Sequence, residues 1–235
     1  MNYKAIIFDL KKDIRIYNSG SSHDYYHLIR VFNNAVNICK EIELTEDEEF
    51  IVLASALLHD IGKNSVNDST KIDEHEKKSS LLAKRILSEY HISEKIITMI
   101  ENCIMNHRAS KKTKTDNILV HILRDADKLD ALGAIAIART FSYDSARPIY
   151  LPEDVPKKKY DGVSNSSFNH IVEKILKLTP EFFYTQSAKR IAKGRLDYAR
   201  NYVAEFLCEW NGDCLLYTSP SPRDRQKSGN NIYHY

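Results

Sequence analysis

A histidine and an aspartate stand side by side at the end of the most apolar segment of the sequence. The segment runs from Phe50 to Leu58, and His59 and Asp60 follow it directly. An ionised carboxylate at the end of a buried helix is costly unless it pairs with a cation or binds a metal ion. Neighbouring residues of a helix point about 100° apart, so both side chains can reach one ion. The pair therefore indicates a metal site, although such a dipeptide on its own is more often structural.

Four further histidine and aspartate residues fall on apolar stripes of other predicted helices. Apolar residues spaced by three and four positions define these stripes, and a side chain on such a stripe faces the core. The four residues are His27, His75, His107 and Asp127. Any one of them alone is more often a satisfied core residue than a ligand. Six inward-facing nitrogen and oxygen groups on five helices have no good apolar explanation, and all of them suit Mn, Fe, Zn or Mg.

The elements that must position these residues are predicted to be helices. Thr45 and Glu48 form a T-x-x-E capping box, which starts the central apolar helix, and Gly62 is placed to end it. A helix from Ser21 onward precedes it, and another begins after Ser93 as its cap. The remaining helical patterns cover approximately residues 50–60, 73–90, 118–141, 168–178 and 185–210.

Two segments lack helical periodicity. Residues 142–167 contain three prolines and predict a long loop, which either closes over a substrate or is simply solvated. The polar segment 211–235 contains Ser-Pro pairs and has no apolar face. It is interpreted as a disordered tail or as translated adaptor sequence. The sequence thus predicts one domain over 1–210, followed by this tail.

Composition and charge exclude several classes of protein. Lysine and arginine number 34 against 32 acidic residues, so the formal charge of +2 gives no reason to expect a nucleic-acid or acidic-membrane binder. The longest apolar run is far shorter than the roughly 18 residues that span a bilayer, and we expect no signal peptide. The four cysteines form no C-x-x-C pair, which predicts free thiols in a reducing cytoplasm.

Several short motifs resemble those of a known family. The order His27, His59-Asp60, Asp127 resembles the HD-domain metal-dependent phosphohydrolase superfamily. Residues 27–31 match an H-x-x-R-V start, and residues 59–63 read HDIGK. Residues 124–134 resemble the D-A-D-[KR]-L-D-A-x-G-A signature of stand-alone bacterial HD hydrolases. The resemblance covers roughly 22–210 and implies an all-α, multi-helix HD-domain bundle.

The resemblance also implies a ligand set. The first histidine, the HD pair and the last aspartate of the family hold one divalent ion, and here these are His27, His59, Asp60 and Asp127. Within the DAD segment the family pattern selects Asp127 as the ligand, and Asp125 and Asp130 are expected to play supporting roles. Members with two ions add two histidines, whose places are taken here by His75 and His107. These two histidines either hold a second ion bridged by Asp60 or bind phosphate oxygens beside a single ion.

The function that the resemblance implies is hydrolysis of a nucleotide or related phosphate compound by metal-activated water. His59, Asp60 and Lys63 are the expected catalytic residues. The cations expected to bind substrate phosphates are Arg30, Lys63, Lys128, Arg139 and Arg147. Cleavage of a nucleoside triphosphate to monophosphate and pyrophosphate is favoured within this class.

Other readings stay open. Nucleotidase, dinucleoside polyphosphatase, cyclic-nucleotide phosphodiesterase and di-iron oxygenase activities are the rivals within the superfamily. The main alternative outside catalysis is a regulatory module that binds a nucleotide or a metal. One or two ions of Mn, Fe, Mg, Co or Zn are expected, with a phosphorylated small molecule as substrate, no stable nucleic-acid partner and no membrane. A homodimer is left open.

Overall fold

The computed structural model describes residues 1–17, 25–63, 75–108, 115–143 and 146–212. All regular secondary structure within these ranges is helical, which confirms the predicted all-α fold. The α-helices are α1 (Tyr3–Asp13), α2 (Tyr25–Cys39), α3 (Glu46–Leu58), α4 (His75–Glu89), α5 (Glu94–Met105), α6 (Ile118–Leu129), α7 (Gly133–Tyr143), α8 (Ser167–His170) and α9 (Gln186–Asn211). Short 3-10 helices cover Ile14–Tyr17 and Pro180–Phe182, and a π-helical turn covers Ile171–Ile175.

Residues 1–199 form one compact unit, which contains every site residue discussed below. The second unit begins at Arg200, within α9, and the rings of Tyr202, Phe206 and Trp210 follow one another along that helix. The predicted tail lies outside the described residues from 213 onward. No helix in the described ranges is both long and apolar enough to cross a bilayer. Cys39, Cys103 and Cys208 are free thiols, and Cys214 lies outside the described ranges.

Helix α3 occupies the centre of the core, as its sequence predicts. The capping box is present: the Glu48 backbone N–H donates to Thr45 Oγ1, and the Thr45 backbone N–H donates to the Glu48 carboxylate at 2.9 Å. From Phe50 to Leu58 every residue except Leu53 is buried, and the helix packs against α1, α2, α5 and α6. The residues that follow α3 therefore enter the interior of the fold.

Gly62 does not end the central helix, contrary to the prediction, because α3 already ends at Leu58. The glycine instead permits close packing with α4. A Cβ atom at position 62 would lie 2.5 Å from the Ser79 backbone nitrogen and 2.8 Å from the Lys78 carbonyl carbon. The Gly62 N–H also donates to Ser79 Oγ at 3.0 Å. This contact fixes the start of α4 beside the HD pair.

Replacing Gly62 by alanine is expected to lower the free energy of unfolding by about 2 kcal/mol or more, because backbone atoms of α4 must move. Urea denaturation measures this change. Gly194→Ala is the matched control, since nothing lies within 4 Å of a Cβ there and alanine favours the helix. Equal stability of the two variants would contradict the proposed packing constraint.

The single helix predicted over 118–141 is wrong, because the chain turns between α6 and α7. Gly133 has a φ of +81°, which residues with a side chain rarely adopt, and it marks the break. The N-terminal helix α1 was also not predicted; Asn2 caps it by accepting from the Ala5 N–H, and Leu10 is its buried residue. Asp130 lies in the turn before α7, where its carboxylate is available to other elements.

Residues 146–166, the part of the predicted loop between α7 and α8 that the structure describes, are held against α8 by main-chain hydrogen bonds. Ser167 N–H donates to the Pro148 carbonyl and Phe168 N–H to the Ile149 carbonyl, both at 2.9 Å. The buried Glu173 carboxylate accepts from the Lys157 N–H and the Ser164 hydroxyl. The helix predicted over 168–178 is replaced by α8 and the π-helical turn, which carries Glu173. These hydrogen bonds connect residues 146–166 to α8 and to the π-helical turn.

Candidate metal centre

The six predicted ligands come together from five parts of the chain. His27 lies in the first turn of α2, the HD pair follows α3, His75 begins α4, His107 follows α5, and Asp127 lies in the last turn of α6. Five of them are at most 5% exposed. The Asp127 side chain is 33% exposed and marks the side that opens to solvent.

Asp60 lies between two groups of imidazoles. Its Oδ2 atom is 3.7 Å from Nε2 of both His27 and His59, and its Oδ1 atom is 3.5 Å from His75 Nε2 and 3.7 Å from His107 Nε2. Asp127 joins the first group, with Oδ1 3.4 Å from His27 Nε2 and 3.8 Å from His59 Nε2. Within the described ranges, three overlapping triplets of these residues have ligand atoms within 4.8 Å of one another. Each oxygen of Asp60 therefore serves one half of the cluster.

Hydrogen bonds on the far side of the rings determine which nitrogen carries the proton. His59 Nδ1 lies 3.0 Å from the Ala56 carbonyl, and His107 Nδ1 lies 2.7 Å from the Ile104 carbonyl. Carbonyl oxygens only accept, so Nδ1 donates its proton and the neutral ring presents the Nε2 lone pair. In His59 this Nε2 atom is buried and has no hydrogen-bond partner within the described ranges. Metal-binding histidines are commonly oriented in this way.

The electrostatics of the cluster favour neutral imidazole and ionised carboxylate. Burial lowers the pKa of His59 to about 4, although the Asp60 charge opposes the shift. Burial acts to raise the pKa of Asp127, but the His59 and His27 rings, which attract the carboxylate when they carry a proton, outweigh it and lower the pKa below its ordinary value, so positive charge beside this carboxylate is favourable. Lone pairs of the rings thus face negative oxygens at 3.4–3.8 Å. A divalent cation between them would turn this repulsion into attraction, so the residues fit a metal site.

Asp130 supports the first half of the cluster. Its Oδ2 atom accepts from His27 Nδ1 at 2.8 Å and from Arg139 at 2.7 Å, and Oδ1 accepts from Arg30 Nε at 2.6 Å. Burial acts to raise the pKa of Asp130, but the hydrogen bonds from His27 and Arg30 outweigh it and lower the pKa to about 2. Arg30 and Arg139, both predicted to bind phosphate, are therefore engaged with this carboxylate in the structure.

The other predicted phosphate-binding cations have different surroundings. Lys63 Nζ lies 3.1 Å from Asp60 Oδ2, beside the cluster. Lys128 donates to the Phe182 carbonyl and lies 5.5 Å from the Tyr184 ring centroid, and burial lowers its pKa. Arg147 lines a cleft next to α7. Of these three cations, Lys63 lies beside the cluster and Arg147 beside the cleft. Their roles in binding substrate stay predictions.

Two further acidic residues, Asp125 and Glu76, contact protein groups outside the set of six predicted ligands or behind it. Asp125 accepts from the Tyr184 N–H and from the N–H and hydroxyl of Thr185, so it anchors the segment before α9 and does not join the cluster. Glu76 was missed by the sequence analysis. It is fully buried, with Oε1 3.5 Å from Arg108 and Oε2 3.7 Å from His75 Nδ1. Glutamate on a helix is ordinarily exposed, so only its place beside His75 could have drawn attention to it.

Comparisons with known proteins agree with this arrangement. Residues 24–132 match the HD domain. The chain is 26% identical over 188 residues to the uncharacterized protein YpgQ of Bacillus subtilis, an alignment covering 80% of this chain and 84% of YpgQ. The crystal structure of an HD-superfamily hydrolase from Bacillus thuringiensis is 29% identical, with a TM-score of 0.69, and covers 89% of this chain and 99% of that one.

A second hydrolase structure supports the same relationship. A predicted HD superfamily hydrolase from an uncultured Thermotogales bacterium is 26% identical, with a TM-score of 0.60 over 88% of this chain and 92% of that one. The matched region, 24–132, contains all six residues of the cluster. Residues 24–132 therefore form an HD domain, and the chain shares its fold with HD-superfamily hydrolases over most of its length.

Proposed function

We propose that the chain hydrolyses a phosphoanhydride bond of a nucleotide at the cluster around Asp60, and that a nucleoside triphosphate is cleaved to monophosphate and pyrophosphate. One observation carries the proposal. Imidazole Nε2 atoms face both oxygens of the buried Asp60 at 3.5–3.7 Å, an arrangement of acceptors that requires cations to be favourable.

We assign two divalent ions to the cluster, with Asp60 as their common ligand. The first would be held by His27, His59, Asp60 and Asp127, and the second by Asp60, His75 and His107. Mn, Fe, Mg, Co and Zn all suit such ligands. Bound dications lower the pKa of water to near neutrality and offset the charge that gathers on the phosphoryl oxygens.

The residues of the chain supply binding and orientation. The Asp127 side chain is 33% exposed, and this exposed side of the cluster is the side from which substrate would enter. Lys63, beside Asp60 Oδ2, is placed to bind a phosphate oxygen as a point charge. Asp130 keeps the His27 ring in the orientation that directs Nε2 towards the cluster.

The nucleotide class is supported by a relative. YpgQ of Bacillus subtilis, 26% identical to this chain, has been crystallised in complex with ADP. We carry nucleotide binding to this chain on that basis, and the choice of a triphosphate rests on the motif resemblance. The buried free thiols of Cys39 and Cys103 support a reducing, cytoplasmic setting.

A substrate panel tests the proposed activity. The metal-stripped protein is assayed with Mn, Mg, Fe, Co and Zn supplied separately, against nucleoside tri-, di- and monophosphates, dinucleoside polyphosphates and cyclic nucleotides. We expect ion-dependent release of pyrophosphate from a triphosphate, abolished by a chelator. Nucleotide binding without turnover under any ion would contradict the proposal and favour the regulatory-module alternative.

A further inference from the structure

A cleft of about 850 Å³ lies next to Asp130, the residue that accepts from the proposed ligand His27. Its walls come from α7, from the segment 146–164 and from α8 with the π-helical turn. Ala131 and Arg139 both line the cleft, and Arg139 donates to the same Asp130 oxygen that accepts from His27. Two hydrogen bonds, from Arg139 to Asp130 and from His27 to Asp130, thus connect the cleft to a proposed metal ligand.

The charged side chains that line the cleft are all cations. Arg139, Arg147 and Lys174 line it together with His170, and no aspartate or glutamate belongs to its lining within the described residues. The nearby Glu173 carboxylate is already occupied, because it accepts from the Lys157 N–H and the Ser164 hydroxyl. Arg139 is paired with Asp130 at 2.7 Å, and the described lining itself contributes cations but no carboxylate.

The cations affect one another. Partial burial, and then the charge of Arg139, lower the pKa of Lys174. Burial, followed by the charges of Lys174 and Arg147, lowers the pKa of His170 to about 4. The Lys174 ammonium forms no ion pair with any residue that the structure describes, and the Tyr160 ring centroid lies 5.5 Å away. Such mutual repulsion is relieved by a bound anion.

We propose that this cleft binds the phosphate groups of the substrate that lie beyond the phosphorus under attack, with Lys174 and Arg147 holding them. The proposal rests on the proposed function and extends it, because it names the part of the substrate that the cleft recognises. A guanidinium can hold phosphate through two parallel hydrogen bonds, and an ammonium acts as a point charge.

Hydrogen bonds connect the walls of the cleft to one another. Main-chain hydrogen bonds from Ser167 and Phe168 hold the segment from Pro148 in place, and the Glu173 carboxylate holds Ser164. The π-helical turn that carries Lys174 is a type of distortion that is frequent at functional sites. A preformed site loses little free energy to ordering when it binds.

Titration calorimetry with inorganic tripolyphosphate tests the cleft without requiring turnover. Lys174→Met and Arg147→Met are each expected to raise the Kd by about tenfold, as the loss of one charged contact does. Lys177→Met is the matched control, since Lys177 is exposed near Lys174 but does not line the cleft, and its Kd should stay within about twofold. Absence of binding to the wild type, or equal Kd values for the two lysine variants, would overturn the proposal.

Kinetics then separate the phosphates of the substrate from an independent effector anion. Tripolyphosphate should inhibit triphosphate hydrolysis competitively, and Lys174→Met should raise KM about tenfold while kcat stays within about twofold. Non-competitive inhibition with an unchanged KM in Lys174→Met would mean a separate anion site and would overturn the proposal. If the wild type hydrolyses no substrate, the proposed function fails, and the calorimetric titration still decides whether the cleft binds phosphate.

Discussion

Replacing Asp60 by asparagine is expected to lower turnover by about 1,000-fold or more and to reduce the bound ions from two per chain to at most one. Among the residues that the structure describes, Asp60 is the one whose two carboxylate oxygens face both groups of imidazoles. Asparagine has nearly the same shape, but it retains a single neutral oxygen and places an N–H donor where the second oxygen was. Metal analysis after dialysis, together with the substrate assay, measures both effects.

The stability of the same variant separates a metal site from a structural cluster. The new amide can donate to an Nε2 lone pair, so the metal-free variant should be at least as stable as the metal-free wild type. The rise in Tm that Mn gives the wild type should be lost, because a ligand stabilises the fold only to the extent that it binds. Asp116→Asn, at an exposed position, is the control and should behave as the wild type. An Asp60→Asn protein that keeps two ions and wild-type turnover would contradict the assignment.

The residues of the cluster were predictable because helical periodicity determines which side chains point into the core. His27 and Asp127 lie on apolar stripes of α2 and α6, and a buried stripe fixes the direction of every polar residue that it contains. The HD pair follows the most buried helix, so its direction was also constrained. Periodicity fixes direction but not distance: the resemblance offered the sharing of Asp60 between two groups as one of two alternatives, and the distances needed the structure.

Features that depend on packing between distant segments were not predictable. Gly62 was taken for a helix end because the sequence does not show the Ser79 backbone that approaches it. The break before Gly133 was missed because the apolar stripe continues across the turn, while the φ of +81° is a property of the fold. The cleft was not predicted for the same reason: Lys174 and Arg147 are distant in sequence, and only the folded chain places them around one cleft.

Replacing Asp130 by asparagine is expected to be the second most damaging change. The carboxylate is 3% exposed and neutralises Arg30 and Arg139 while it accepts from His27. Removing one partner of a buried ion pair typically costs about 3–5 kcal/mol, so the free energy of unfolding should fall by that amount. Loss of the charged acceptor behind His27 should also weaken metal binding by about 10–100-fold. Urea denaturation and Mn titration measure the two effects separately.

The two roles of Asp130 can be told apart with a second variant. Arg30→Met removes one guanidinium from the ion pair but leaves the hydrogen bond between His27 and Asp130 intact, so stability should fall while Mn affinity stays within about threefold. If folded Asp130→Asn protein binds Mn as tightly as the wild type, Asp130 stabilises the turn before α7 and does not orient His27. If Mn binding is weaker in Asp130→Asn but not in Arg30→Met, Asp130 orients the metal ligand His27. Only Asp130→Asn changes the group that accepts from His27 Nδ1.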